Sequence, residues 1–434
     1  MQFFHGSPTV FSLFISILAA GQTVTGGKLE KYGCSFDDDK YALNVMIPTW
    51  ADSPRAPKEF KDVDDFNQFI GKVQPVYSQF MADNVRSDVD RILRFYQAFK
   101  KQNSSKLEEF FNSYTVEYKP NEDSAGLTIE LFNQLKTTLP EIEKHVYLVS
   151  ANMDLGYEYT TDYFRLATAM PQDYFHGYTA GAMKIKVGSR AGVVLFNLEI
   201  GVEKPIVLME DGSAPHMAQC AGGDSHKIQY YLKNGFILAN VFMTEEKEEH
   251  GQMKTIESIG QKHLTYIEKP YCSFIQKAKA NLLSPEHGIV SRKANGGPSE
   301  FVQLRLVPTK VRQSRHEIVL MVFEEKDKKF VRTEGRVALN SLETKSGAPT
   351  TVADEINMVK NNADLVKMKG DELLQKLRQV KSVIFDDEDL VTQIYQLEEK
   401  LWKKDTDNSC SDVNNVMECL KTMSGARKLI KNLK

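Results

Sequence analysis

The chain has 434 residues, of which 41% are hydrophobic and 26% charged, and its formal net charge is −3. That length suffices for a large core, or for two or three domains of roughly 100–200 residues each. A charge so close to balance gives no global pull toward nucleic acid, and nucleic-acid partners are set aside.

The first predicted element is the apolar run Phe11 to Ala20 (FSLFISILAA), with the small residues Ala19 and Gly21 at its end. It reads as a secretory signal peptide over residues 1–21, since a spanning helix needs about twice that length. The mature chain is therefore expected to be secreted and extracellular. In an oxidising compartment the five cysteines, Cys34, Cys220, Cys272, Cys410 and Cys419, are candidates for pairing, with one left over. Cys410 and Cys419 bracket a short polar segment and form the first expected bridge. Cys220 and Cys272 are further disulfide candidates whose connectivity spacing does not decide. Asn103-Ser-Ser is a glycosylation acceptor, and Asn408-Ser-Cys is a rare variant of the same motif.

Residues 22–57 are expected to be irregular, ending in the Pro54 and Pro57 punctuation. Apolar residues then fall at Val63, Phe66, Ile70, Val73, Tyr77 and Phe80, the three–four spacing of one helix face. Pro75 should kink or divide that helix. The pattern resumes from Val85 to Phe99, which predicts one long helix or two in line. A short helical run around Leu107, Phe110 and Phe111 follows, then another period from Ile129 to Val146, interrupted at Pro140. The aromatic-rich stretch Leu155 to Met170 is compatible with helix, so residues 58–175 form a predicted helical region.

From Met183 the chain alternates as AMKIKV, turns through Gly188 to Gly192 and returns as VVLFNLEI, a β-hairpin over residues 183–200. Gly235 to Thr244, Phe301 to Val307, Glu317 to Glu324 and Phe330 to Thr333 are further predicted strands, and Thr255 to Leu283 is read as helix interrupted at Pro270. Residues 176–345 thus form a mixed β/α centre. In the C-terminal region, 346–434, Val352 to Ile384 steps by four and three for about nine turns, with Gly370 as its weak point. The acidic run Asp386 to Asp389 separates it from a second helix through Leu390, Ile394, Leu397 and Leu401. The expected fold class is α+β and predominantly helical: long heptad-spaced helices from both chain ends, the last region packing on the first, around a β-containing central segment.

Chemistry is sparse. Asp211, His216, Cys220, Asp224 and His226 are ligand-type residues at short intervals, but their spacing matches no regular zinc pattern. The GGDS fragment has its glycines before Asp224-Ser225, unlike a serine-protease nucleophile loop. Glu246 and His250 would align on a helix, without the second histidine of a metalloprotease. No catalytic residue, metal or cofactor is assigned. Two features suit membranes: the apolar face of the 183–200 hairpin, and a C-terminal tail in which Lys421, Arg427, Lys428, Lys431 and Lys434 meet Leu420, Met423, Leu429 and Leu433.

Taken with the signal peptide, the stretch Val63 to Phe99, the run Asp162 to Val187 (DYFRLATAMPQDYFHGYTAGAMKIKV) and the helical C-terminal region resemble cephalotoxin-like secreted animal proteins. That resemblance covers most of the mature chain and implies a toxin-like or extracellular-matrix protein that is not an enzyme. The leading expectation is a secreted non-enzymatic protein, toxin-like and membrane-active. Its alternatives are an extracellular-matrix or interaction protein, and a secreted hydrolase with scattered catalytic groups. The expected partner is extracellular, a protein or a membrane surface.

Overall fold

The computed structural model of the protein describes residues 49–102, 106–117, 119–153, 155–161, 163, 177–199, 202, 204–221, 226–249, 252–284, 287–291, 302–307, 317–326, 329–343 and 350–403. The predicted signal peptide, Cys34, Asn103, Asn408, Cys410, Cys419 and the basic tail lie outside the described residues.

A short strand β1 (Lys58–Phe60) leads into helix α1 (Val63–Asp83), whose first turn is capped by Asp62 accepting from the Asp65 N–H at 2.9 Å. Phe66, Phe69, Val73, Tyr77, Phe80 and Met81 form its buried face, and the helix runs through Pro75 without dividing. It does not continue into α2. The chain leaves α1 at Asn84 to form β2 (Arg86–Ser87), which pairs with Ile289–Val290 from far along the sequence, before α2 (Val89–Lys101) begins. Helices α3 (Leu107–Ser113) and α4 (Ser124–Thr138) follow.

The predicted helical region then gives way to strand. Val146, expected at the end of a helix face, opens β3 (Val146–Met153). The predicted hairpin is present as β4 (Tyr178–Val187) and β5 (Arg190–Phe196), with Val187 opposite Arg190 across a Gly188–Ser189 turn. Next come β6 (Ile206–Met209), β7 (Gln219–Ala221), β8 (His226–Lys233), β9 (Phe236–Glu249) and β10 (Gln252–Tyr266). Asn234 and Gly235, both with positive φ, close the β8–β9 hairpin as a two-residue turn. The helix expected over Thr255 to Leu283 is instead strand β10 as far as Tyr266, and only α5 (Phe274–Ala280) and a 3₁₀ turn at Asn281–Leu283 are helical.

A second sheet joins β12 (Val302–Val307), β13 (Glu317–Lys326) and β14 (Lys329–Ala338), after β11 (Ile289–Val290) has paired with β2. The nine-turn helix expected from Val352 to Ile384 is two helices, α6 (Thr350–Asn361) and α7 (Gly370–Val380), followed by α8 (Glu388–Lys403). The break comes where Ala363 and Val366 are buried in a tight turn, and Gly370 lies where an added Cβ would stand 3.1 Å from the Lys360 carbonyl oxygen. A pattern that is apolar throughout cannot distinguish one straight helix from two that fold back on each other.

The expected predominantly helical class is thus incorrect. Its centre is a nine-stranded sheet in the order β6-β5-β4-β3-β10-β9-β8-β7, with β1 beside β4 beyond the end of β3. The sheet curls until its ends meet: Met217 N–H donates to Val207 O at 2.6 Å, and Tyr230 N–H to Ala218 O at 2.8 Å. Inside the curl lie Tyr147, Val149, Tyr178, Val193, Leu195 and Tyr230, with alanines at 151, 180, 182 and 239. The opposite face carries Met183, Ile185, Val194 and Phe196, covered by α1 and α4. A separate core joins α2 and α3 to α6, α7 and α8 and to Ile318, Leu320 and Val337 of the second sheet.

Helix α4 reaches β4 through a missing side chain. A Cβ at Gly181 would stand 2.5 Å from Phe132 Cζ and 2.9 Å from Thr128 Cγ2, so the helix and strand cannot keep this distance around any larger residue. Gly181→Ala is expected to lower unfolding free energy by about 1–3 kcal/mol. Urea unfolding measures it, and adding Phe132→Leu should return part of the loss.

Candidate functional site

The polar loop singled out in the sequence does not assemble. Asp211 accepts from the Ser213 N–H at 3.0 Å and from its hydroxyl at 2.6 Å, a local turn; His216 Nδ1 accepts from the Met209 N–H at 2.9 Å, a clasp between the loop and β6. Cys220, a disulfide candidate, is a free thiol. Burial pushes its pKa up to about 12 against the hydrogen bond from Tyr230, so it stays protonated and a poor nucleophile. Cys272 is disulfide-bonded, with a partner outside the described residues. Asp224 also lies outside them, and His226 opens β8. No three His, Cys, Asp or Glu residues gather as metal ligands among the described residues. Glu246 is on a strand, not a helix, and His250 is outside the described residues.

The 183–200 hairpin is not a tongue. β4 is bonded to β3 and β5, and β5 to β4 and β6, so the pair lies inside the sheet with both of its faces covered.

Two polar or aromatic clusters are buried and a third is partly buried, and each is built from mutual contacts. Inside the curl, Asn197 Nδ2 donates to the Tyr178 hydroxyl at 3.1 Å, and that hydroxyl lies 3.2 Å from His263 Nδ1. With Tyr178 donating to Nδ1, the imidazole carries its proton on Nε2, facing Gln261 Oε1 at 3.4 Å. Burial lowers the His263 pKa to about 4, so the ring is neutral. On the other face Trp50, Tyr163, Tyr266 and Phe236 contact one another at ring distances of 5.2 to 6.0 Å, which leaves no slot for a ligand between them.

The third cluster is a row of ion pairs, with one histidine–carboxylate contact, where the two main cores meet. Arg86 pairs with Glu199, His287 Nδ1 lies 3.3 Å from Asp88, Arg91 Nη1 is 2.8 Å from Asp123, and Arg94 grips both oxygens of Glu122 at 2.6 and 2.8 Å. Helix α2 explains the arrangement: Ile92, Phe95, Tyr96 and Phe99 face the helical core, while Arg91 and Arg94 bind carboxylates just ahead of α4 or at its cap. Burial by itself would raise the Asp88 carboxyl, but His287, Arg91 and the Gly288 N–H together hold it below the usual carboxylate range. For Glu122 burial prevails and its pKa is raised, despite Arg94. A small apolar cleft lined by Phe80, Met81, Leu127, Leu198 and Val290 ends on the Arg86–Glu199 pair, whose charges neutralise each other.

No protein-family model matches this chain, and no curated protein does.

Strand pairing ends, among the described residues, at one outer surface. Strand β8 stops pairing with β9 at His226–Met243, and β3 stops pairing with β10 at Met153–His263. Thr244–Glu249 and Gln252–Glu257 therefore hydrogen-bond only to each other among the described residues, as a ribbon of six rungs. At about 3.3 Å per residue it extends about 20 Å past the sheet. At its base, the outward rungs of β8, β9 and β10 carry Lys227, Tyr231, Lys233, Phe242, Ile259 and Lys262. Tyr231 is 39% and Ile259 45% exposed, two of the three large hydrophobic side chains so exposed among the described residues. Lys227 Nζ lies over the Phe242 ring at 5.3 Å. Lys233 and Lys262 make no ion pair among the described residues. Thr255 to Leu283 was expected to be helix, which hid this surface; in the strand, Ile259 and Lys262 reach the same face through the bulge between Ile259 and Gln261, which no simple alternation marks. The alternation in HKIQYYLK (His226–Lys233) was the available signal.

Proposed function

We propose that this chain is a secreted, non-enzymatic interaction protein of the extracellular space, and that it engages its partner through the β9–β10 ribbon and the sheet surface at its base. The observation that carries this reading is the ribbon itself: two strands continue for six rungs with neither edge paired among the described residues. Open edges are hydrogen-bonding templates that a chain usually shortens, covers or charges. Here they are kept long, and the segment 244–257 holds five glutamates and two lysines. Those charges oppose random pairing and leave room for a chosen partner. Export rests on residues 1–21, and the similarity to cephalotoxin-like secreted proteins supports a non-enzymatic role.

A membrane-inserting role is less favoured, because freeing β4 and β5 would dismantle the sheet and expose both its cores. The test places a photo-crosslinking residue at Lys247, with a second at exposed Lys101 on α2 as control, in extracellular fluid from the source. Adducts concentrated at position 247, with no dye release from liposomes at neutral or mildly acidic pH, are expected. Equal labelling at both positions, or leakage, overturns the reading.

A further inference from the structure

Cys272 is disulfide-bonded and Cys220 is a free thiol, which leaves Cys34, Cys410 and Cys419 as the partners to choose among. We infer that the partner is Cys34, and that the bridge ties the N-terminal segment covalently to the chain beside Trp50. The inference goes beyond the interaction reading and uses nothing of the ribbon. It shares only the oxidising compartment that export supplies.

The backbone around Cys272 points to the N-terminal side. Trp50 and Tyr271 form an antiparallel bridge, the Cys272 N–H donates to Thr49 O at 2.9 Å, and the Ala51 N–H donates to Pro270 O at 2.9 Å. The Ser273 hydroxyl accepts from the Thr49 N–H and lies 2.7 Å from the Thr49 hydroxyl. The chain upstream of Thr49 therefore sets out from directly beside Cys272, and Cys34 is 15 residues along it. A loop of that length closes at small entropic cost, because the hydrogen bonds at Thr49 already hold its other end. Cys410 and Cys419 set out from elsewhere. Helix α8 ends seven residues before Cys410 and packs on α3: the Leu107 N–H donates to Gln393 Oε1 at 2.8 Å, and Ile394 and Leu397 belong to the helical core. Tyr271 and Phe274, to either side of Cys272, belong to the core between α1, α4 and the sheet. Cys410 and Cys419 are nine residues apart and close a short loop of their own. Two bridges and one free thiol then use all five cysteines.

Trp50 stands between this junction and the aromatic cluster. Its ring is 6.3 Å from Tyr271, 6.0 Å from Tyr163 and 5.8 Å from Tyr266, and its Nε1 donates to Ser150 Oγ at 3.3 Å. A covalent tie upstream of Thr49 limits the motion of the segment that presents the indole, where an untied chain terminus would pull on it. Forming the bond takes two protons and two electrons from the thiols, and the acceptor is a protein disulfide that leaves as a dithiol. Reduction reverses the step, so the packing of Trp50 becomes sensitive to thiol reductants.

Peptide mapping without reductant tests the pairing on the unaltered chain from its source fluid, unfolded in iodoacetamide to block free thiols and then digested with trypsin. The peptide of residues 32–40 should be joined to that of residues 263–277, the peptide of residues 405–421 should be two hydrogens lighter than its sequence, and Cys220 should carry the label. Cys272 joined to any other peptide, joined to a second copy of its own, or labelled as a thiol overturns the inference. Label on all five cysteines overturns export as well. Tryptophan emission then tests the effect of the tie in a Trp402→Phe background, where Trp50 is the remaining indole. A thiol reductant, which needs no further variant, and Cys34→Ser should shift the emission to the red by the same amount, and reductant should add nothing to Cys34→Ser. An emission that responds to neither overturns the hold on Trp50.

Discussion

Arg91→Met is expected to lower the unfolding free energy by about 3–5 kcal/mol, the usual result of stripping one partner from a buried ion pair. The Arg91 side chain is 2% exposed, and its Nη1 is 2.8 Å from Asp123 Oδ2. The other oxygen of Asp123 accepts from the Gly126 N–H at 2.8 Å and caps α4, so the carboxylate cannot swing toward water without uncapping the helix that covers the sheet. Removing Arg91 therefore leaves a confined negative charge. Adding Asp123→Asn should recover more than half of the loss, because asparagine caps nearly as well and carries no charge. Urea unfolding of the two single variants and the double variant at neutral pH measures the cycle. A double variant as unstable as Arg91→Met alone would mean that the arginine stem, through packing, supplies the stability.

His263 should make the fold sensitive to acid. Its folded pKa is about 4 against an ordinary value of 6.5, lowered by burial and only partly restored by the charge of Glu199. The imidazole faces the Tyr178 hydroxyl and Gln261, with no carboxylate in contact. A lowered histidine pKa means that the unfolded chain takes up the proton first. Stability is therefore undiminished above pH 6.5, falls as the pH drops, and at pH 4 is lower by about 3 kcal/mol on this account alone. Glu122 acts in the opposite direction, since its raised pKa lets the folded state bind a proton more readily. Asp88, held low, gives up its contribution only under more acidic conditions. The prediction is accordingly a difference between proteins: His263→Gln should have a flatter stability profile than wild type between about pH 6.5 and 4. Parallel profiles would show that the ring is solvated or already charged.

The acid response and the ion-pair row describe a chain whose buried polar groups are occupied with holding the fold. Tyr178, His263 and Asn197 bond to one another inside the curl, and Arg91 and Arg94 tie α2 to the α4 end of the sheet assembly. The open ribbon differs from them in having no such internal partner for its backbone edges among the described residues.

Local chemistry was legible in the sequence. The apolar spacing marked the buried face of α1, the alternation around Gly188 marked β4 and β5, and the acidic run before Leu390 marked the start of α8. Each depends on neighbours within a turn or a hairpin. β10 was not legible, because its identity comes from lying beside β9 and β3, and a short mixed run suits either period. Nor were the ion pairs: Arg86 meets Glu199 and Asp88 meets His287 across more than a hundred residues, where no spacing rule applies. The sequence by itself determined the hairpin and the amphipathic faces of several helices. Only the tertiary structure decided that the hairpin is locked inside the sheet and that Tyr231, Ile259, Lys233 and Lys262 share an open surface, because burial depends on what covers a strand, and the strand's own residues do not contain that information.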